Sequence, residues 1–257
     1  MWALVFLPTA LDRTRMLGFL DLALGYALEA LGDDAEPVRD AAHRAGRVYV
    51  TQFAESEPRL VLPPLERGLV AQSWRVRQSA VRLLGDVVGK LVANDKGGRT
   101  QTQDEHVAQG LNMDEAPDVS VSSDDDNDDE EEGEEEDFVG GLSEGPADAA
   151  MLKTFGAERR DKLIARMYLL RNDASGAVRQ SALFVWTGII SNTPRTLRRI
   201  VRPLMECIIQ GLSDSNSSER QEVAGKTLGD IVRKLGDRVL PQIVPVIVQV
   251  CFPISYC

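Results

Sequence analysis

An all-α solenoid of stacked helical hairpins is the fold class that this sequence predicts. Three observations carry the prediction: an internal repeat with a period near 40 residues, apolar positions spaced by three and four rather than by two, and an apolar content drawn from Leu, Val, Ala and Ile. Hydrophobic residues make up 43% of the 257 positions, enough for a core, while aromatics supply only 5%. That balance suits helix-on-helix packing more than a sheet, and no period-two alternation competes with it.

The repeat is read by laying four segments over one another on a small residue: Ala42, Ala80, Ala182 and Ala224. Four positions later stand Gly46, Leu84, Trp186 and Leu228, and eight positions later Val50, Val88, Ile190 and Val232. This spacing puts all three positions on one face of an amphipathic helix in each unit. Three positions before the anchor stand Arg39, Arg77, Arg179 and Gln221. The anchors are 38, 102 and 42 residues apart, and removing an insert from the middle interval brings that gap near the others.

Each unit is also expected to carry a first helix, over residues 17–31, 59–70, 157–171 and 194–212. Short turns follow: Gly32-Asp33-Asp34, Ala71-Gln72-Ser73, Asn172-Asp173-Ala174 and Asp214-Ser215-Asn216. Asp, Asn and Ser accept from the free amides that open the next helix. Asp33 and Asp173 lie six positions before Arg39 and Arg179, a spacing that lets a turn carboxylate meet an arginine of the neighbouring unit; the second unit has Ala71 there instead. The fourth loop is one residue longer, which puts Arg220 a step early. Helical hairpins of this period are HEAT units, each too thin to bury both faces alone. A fifth begins at Val239 and stops before a second helix, and the tail 251–257 offers no polar cap, so the chain reads as a fragment of a longer array.

The insert is the least ambiguous feature. Between Thr100 and Leu152 there is no Lys or Arg, and 19 of the 40 acidic residues lie there. The formal net charge of −11 therefore describes neither part, because the remainder holds 29 basic against 21 acidic residues. Dense like charge with little to bury cannot offset ordering entropy, so residues 94–148 read as a disordered loop. Ser122 and Ser123, each followed three positions on by Asp, are candidate phosphorylation sites. The organisation is then repeats over 1–93 (two units), the insert over 94–148, repeats over 149–250 (two units and a partial fifth), and an unstructured tail over 251–257.

Little in the sequence supports catalysis. Cys207, Cys251 and Cys257 stand without close pairing, which excludes a disulfide scaffold or Cys-rich zinc module and suits a reducing compartment. His43 and His106 are the only histidines, and His43 reads as an ordinary polar-face residue. Gly225-Lys226-Thr227 resembles the end of a phosphate loop, but Arg220 stands where the loop needs Gly and the string falls inside a helix. Leu84-Gly85-Asp86 and Leu228-Gly229-Asp230 read as repeat packing, with Gly admitting a close neighbour and Asp pointing outward. The apolar start is broken by Pro8 and has no basic leader, and no run of about 18 apolar residues marks a membrane span. No metal, no cofactor and no enzyme activity are expected.

What remains is surface. Arg195, Arg198, Arg199 and Arg202 fall at i, i+3, i+4 and i+7, one basic stripe on a helix, with Leu197, Val201, Leu204 and Ile208 on another side. The bland reading is a solvated face; the sharper one is contact with a phosphate backbone. Trp74 stands beside Arg75 and Arg77 at a turn, either capping the core between units, the preferred reading, or making an exposed contact with Arg75.

Three stretches carry a resemblance: residues 62–88 (LPPLERGLVAQSWRVRQSAVRLLGDVV), 158–198 (ERRDKLIARMYLLRNDASGAVRQSALFVWTGIISNTPRTLR) and 226–245 (KTLGDIVRKLGDRVLPQIVP). In that order they resemble the central HEAT repeats of the general control nonderepressible protein 1 family, very large ribosome-associated activators of the initiation factor 2 alpha kinase. The string Ser191-Asn192-Thr193-Pro194-Arg195-Thr196-Leu197-Arg198 is its most specific part. The resemblance implies a non-catalytic, cytoplasmic scaffold in the response to amino-acid starvation and ribosome stalling. Implied partners are the stalled or collided ribosome and, through other parts of the parent protein, the kinase and an ATP-binding-cassette protein, with no membrane and no DNA. A TOG-type tubulin-binding array and a transport or phosphatase scaffold use the same repeats and stay open, though the quoted string favours the translation reading.

Overall fold

The computed structural model describes residues 2–97 and 145–236, together with Pro241 and Val244, and among them the chain is helical with no strand. Ten helices are described: α1 (Trp2–Ala10), α2 (Arg13–Ala30), α3 (Glu36–Phe53), α4 (Pro58–Leu69), α5 (Trp74–Gly97), α6 (Pro146–Phe155), α7 (Ala157–Leu170), α8 (Gly176–Ile189), α9 (Thr193–Leu212) and α10 (Ser218–Leu235). The hairpins α2/α3, α4/α5, α7/α8 and α9/α10 are the four expected units, stacked into an all-α helical-repeat solenoid.

Local chemistry sets the helix starts. Asp12, Asn192 and Ser217 accept from the backbone N–H three residues on, at 3.0, 2.9 and 3.3 Å, capping α2, α9 and α10. Pro37, Pro58, Pro146 and Pro194 stand in first turns, where a missing N–H costs nothing. Packing then orders the helices. All four anchors, Ala42, Ala80, Ala182 and Ala224, are fully buried. Two of them meet a glycine of the unit's first helix: a Cβ on Gly68 would lie 2.8 Å from the Ala80 Cβ, and one on Gly211 would lie 2.9 Å from the Ala224 Cβ. These are close crossings within their hairpins, and a larger residue on either side would wedge them apart.

The second and third units pack directly on each other, although 102 residues separate their anchors. Helix α5 lies along α8, where a Cβ on Gly85 would approach Val185 Cγ2 to 3.0 Å. Gln78 Nε2 and Arg82 Nε both donate to Ser181 Oγ, at 3.3 and 3.4 Å. On the first-helix side, α2 packs along α4 and α7 along α9, whereas α4 and α7 touch only briefly.

The helices run past the expected limits. α1 lies ahead of the first expected helix and packs on α3, where the buried Tyr49 donates its hydroxyl to Leu4 O at 2.6 Å; burial pushes that phenol up to about 12. α5 continues to Gly97, and α6 begins at Pro146, so helix occupies both edges of the segment 94–148. α6 packs on α5 and α7 and breaks sharply into α7 at Gly156, whose φ of 81° is open mainly to glycine. The remainder of the insert, with Ser122, Ser123 and His106, lies outside the described residues, as does nearly all of the partial fifth unit and the tail.

The close crossings give a direct check. Gly68→Ala should destabilise the fold by about 1–3 kcal/mol through overpacking against Ala80. Gly18→Ala, at an exposed α2 position with open space around it, should stabilise by about 0.5–1 kcal/mol. Guanidinium unfolding midpoints should move in opposite directions for the two variants.

Candidate functional site

The turns carry a repeated polar frame. Asp33 Oδ1 accepts from Ala35 N at 2.8 Å, Asp173 Oδ1 from Ser175 N at 2.9 Å, and Asp214 Oδ1 from Asn216 N at 3.1 Å. Onto each turn an arginine of the following helix folds back. Arg39 Nη1 donates to Asp33 O and Asp34 O at 2.9 and 2.6 Å, Arg77 Nη1 to Ala71 O and Gln72 O at 3.0 and 2.7 Å, and Arg179 Nη1 to Asp173 O and Ala174 O at 2.7 and 2.8 Å. Carbonyls of the turn itself, past the last residue of the first helix, are satisfied in this way. In the fourth unit Arg220 takes the place, donating to Asp214 Oδ2 at 2.8 Å and reaching Val70 O of the second unit at 2.7 Å.

Arg77 does more than close its own turn. Its Nε and Nη2 form a fork on Asp173 Oδ2 and Oδ1 at 2.8 and 2.9 Å, and Nη2 also donates to Glu219 Oε1 at 2.6 Å. Its side chain is 8% exposed and that of Asp173 is 4%. Burial works against the charged guanidinium, but the bonds to Asp173 and Glu219 outweigh it and hold Arg77 above its ordinary value. One side chain therefore ties the second, third and fourth units. The turn carboxylate meets a neighbour's arginine here, at Asp173; Arg39, facing a unit with Ala71 in that place, bonds its own turn.

The basic stripe divides. On α9, Leu197, Val201, Leu204 and Ile208 are buried, while Arg195, Arg198 and Arg202 are exposed, Arg202 by 92% of its side chain. Arg199 is not part of that face. Its Nη2 and Nη1 hold Asp148 Oδ1 and Oδ2 at 2.9 and 3.3 Å, and its Nε lies 3.3 Å from Asp161 Oδ1. Asp148 is fully buried and also accepts from Arg160 Nη1 at 3.2 Å, while Arg160 Nε donates to Asp161 at 2.9 Å. This cluster joins α6, α7 and α9, so Arg199 is structural and the four-arginine stripe is reduced to three. The i+4 spacing alone cannot separate them, because it is Asp148, assigned from sequence to the insert, that draws Arg199 in.

Other candidates find different places. Trp74 is 39% exposed, not a core cap, and the Arg75 guanidinium stacks 4.9 Å from its ring centroid. Thr227 is fully buried inside α10, donating to Val223 O at 2.8 Å and accepting from Asn172 Nδ2 at 3.2 Å, so the Gly-Lys-Thr string is helix. Asp230 does not point outward: it accepts from the Tyr168 hydroxyl, and burial with that bond holds the phenol far above its usual value. The Arg171 guanidinium sits over both Tyr168 and Trp186, at 5.0 and 5.1 Å. Among the described residues no group of three or more His, Cys, Asp or Glu could hold a metal. No described helix is long and apolar enough to cross a membrane.

Sequence reasoning passed over the Asp148–Arg160–Asp161–Arg199 cluster and the fork from Arg159 to Glu66, at 3.0 and 2.9 Å, which joins α7 to α4. Glu66 and Arg159 stand 93 positions apart, and nothing local marks them as partners.

No family model and no solved structure matches the chain. Relatives do. The eIF-2-alpha kinase activator GCN1 of Dictyostelium discoideum is 35% identical over 243 residues, 95% of this chain and 8% of the relative. The stalled ribosome sensor GCN1 of Homo sapiens is 35% identical over 220 residues, 86% of this chain and 7% of the relative. Protein ILITYHIA of Arabidopsis thaliana is 38% identical over 234 residues, 91% of this chain and 7% of the relative. The chain thus spans less than a tenth of the length of the relatives it matches. These names do not favour the tubulin-binding or transport-scaffold readings.

Removing one partner of a buried ion pair leaves the other uncompensated. Arg77→Leu should therefore cost about 3–5 kcal/mol, and Arg77→Leu with Asp173→Leu should cost less than the sum of the single changes. Chemical unfolding of the four proteins of this cycle measures the coupling; strictly additive losses would mean the pair contributes nothing as a pair.

Proposed function

This chain belongs to the GCN1 family, and we propose that it is a non-catalytic stretch of a ribosome-associated activator of the eIF-2-alpha kinase, laying the exposed basic face of α9 on the ribosome. The observation that carries the reading is the division of the stripe. Arg195, Arg198 and Arg202 are exposed at helical spacing while the apolar side of the same helix is locked into the stack. Such a face follows a phosphate backbone without reading bases, because guanidinium groups on successive turns meet phosphate oxygens and release counterions. A ribosome surface is dense in phosphate. In the parent protein the repeats serve as a spacer in the cytoplasm, holding the ribosome while other segments engage the kinase and an ATP-binding-cassette partner. The turn of Trp74 and Arg75 presents a second, smaller contact surface on the same scaffold.

Arg195→Glu, Arg198→Glu and Arg202→Glu together, in the parent protein, should lower ribosome co-sedimentation and kinase activation in parallel. The dependence of binding on salt should also become shallower, by a log–log slope of about 2–3. The fold should be unchanged, because none of the three belongs to the Asp148 cluster. Arg199→Glu should instead unfold the α6/α7/α9 junction. Kinase activation lost with ribosome association intact would make the stripe a protein-docking surface, and no effect on either would return it to the class of solvated helix faces.

A further inference from the structure

A cavity of about 280 Å³ opens where α4 and α7 diverge and the turn of the second unit approaches α9 and α10. Its walls are largely apolar, with Leu69, Val70, Leu169 and Val223 among them, and Val70 at the mouth is 49% exposed. Three arginines, Arg77, Arg166 and Arg220, stand on the same walls. Arg220 already holds Asp214 and Val70 O. Arg166 is different: its bond is to the Cys207 thiol, and Lys162 stands one turn before it on the same helix. Most arginines around it hold a carboxylate: Arg77, Arg159, Arg160, Arg199 and Arg220. Two carboxylates also line the cavity, but Asp173 and Glu219 are both engaged by Arg77, at 2.8 and 2.6 Å. The cavity is thus apolar and open, and among the described residues its Arg166 guanidinium forms no ion pair, the charge of Glu206 reaching its neighbours Cys207 and Lys162.

We propose that this cavity docks a linear acidic segment of a partner protein, which inserts a Leu- or Phe-sized side chain between α4 and α7 and sets a neighbouring carboxylate on Arg166. Charge complementarity and size select this occupant. The volume falls just below the range of about 300–1,000 Å³ typical of small-molecule sites and accommodates one or two apolar side chains. Buried apolar anchors of that kind carry most of the affinity of a small interface, and a guanidinium suits a carboxylate because its fork of donors matches the two oxygens. A nucleic acid fits poorly: no aromatic ring lines the cavity for stacking, and its phosphates would meet Glu219 and Asp173 with a single uncompensated cation in return.

The test uses the 257-residue chain and a fluorescein-labelled Glu-Asp-Leu-Phe-Asp-Gly peptide, followed by anisotropy. The chain should bind it, Arg166→Glu should weaken binding at least tenfold, and Arg166→Lys should weaken it less. A peptide with Ser-Ser in place of Leu-Phe should not bind. Thermal melting of Arg166→Glu should match the parent, since among the described residues Arg166 bonds the Cys207 thiol and forms no ion pair. Should that variant fail to fold, Val70→Glu, at an exposed position on the mouth, should give the same loss by repelling the acidic peptide. Equal binding by the Arg166→Glu chain or by the Ser-Ser peptide would overturn the proposal, leaving only generic charge attraction. A gain in affinity of threefold or more on deleting residues 104–144 would overturn it as well, by making this chain's own acidic insert the occupant. Ribosome co-sedimentation should be unaffected by Arg166→Glu, so this docking site and the basic face of α9 stand or fall separately.

Discussion

The fork between Arg77 and Asp173 is the contact on which the arrangement of this solenoid turns. Two charges taken out of water cost several kcal/mol each, and the cost is met only if every donor and lone pair finds a partner. Here nearly all do: Arg77 gives two bonds to Asp173, two to its own turn and one to Glu219, while Asp173 also closes its Asx turn. Such a pair tolerates little displacement. It sets the second unit against the third at one register, across 96 residues of sequence, and admits the fourth through Glu219.

The same constraint explains why the acidic insert does not divide the fold. Residues before and after it meet along α5/α8, at Arg159 with Glu66, and where Lys153 reaches Asp95 at 2.7 Å. Each hairpin is a thin layer whose apolar faces need neighbours on both sides, and the third unit supplies the face that the second requires. Loop-closure entropy grows only slowly with length, so a long insertion adds little cost once those contacts form.

Arginines at helical spacing take two fates on this chain, and the difference is set by what packs beside them. On α9, Arg199 turns into a cluster with a fully buried aspartate, while Arg195, Arg198 and Arg202 remain at the surface. On the turns, Arg39, Arg77 and Arg179 repeat one bonding pattern toward carbonyls, yet only the second unit's arginine meets a carboxylate across a unit boundary. The proposed contact surfaces rest on arginines that lie at the surface or on a cavity wall and not in a buried ion cluster. The exposed face of α9 and Arg166 in its cavity are of that kind, and they are proposed as separate contact surfaces.

By itself the sequence determined the fold class, the four hairpins and their anchor alanines, because amphipathic spacing and turn chemistry are local and repeat along the chain. It also determined the family, through stretches that generic repeats do not share. It placed the turn aspartates and the arginines six positions on, since that geometry spans a single turn. Only tertiary structure decided the rest. Asp148 and Asp161 took Arg199 out of the basic stripe, Trp74 came to the surface with Arg75 over it, and Asp230 turned in to Tyr168. Helix α6 placed its first three residues inside a segment whose composition suggested disorder, since its start is fixed by a buried ion cluster with α7 and α9. Each of these depends on a partner 50 or more positions away or on which side of a helix a neighbour covers, and burial and charge pairing between distant residues leave no periodic trace in sequence.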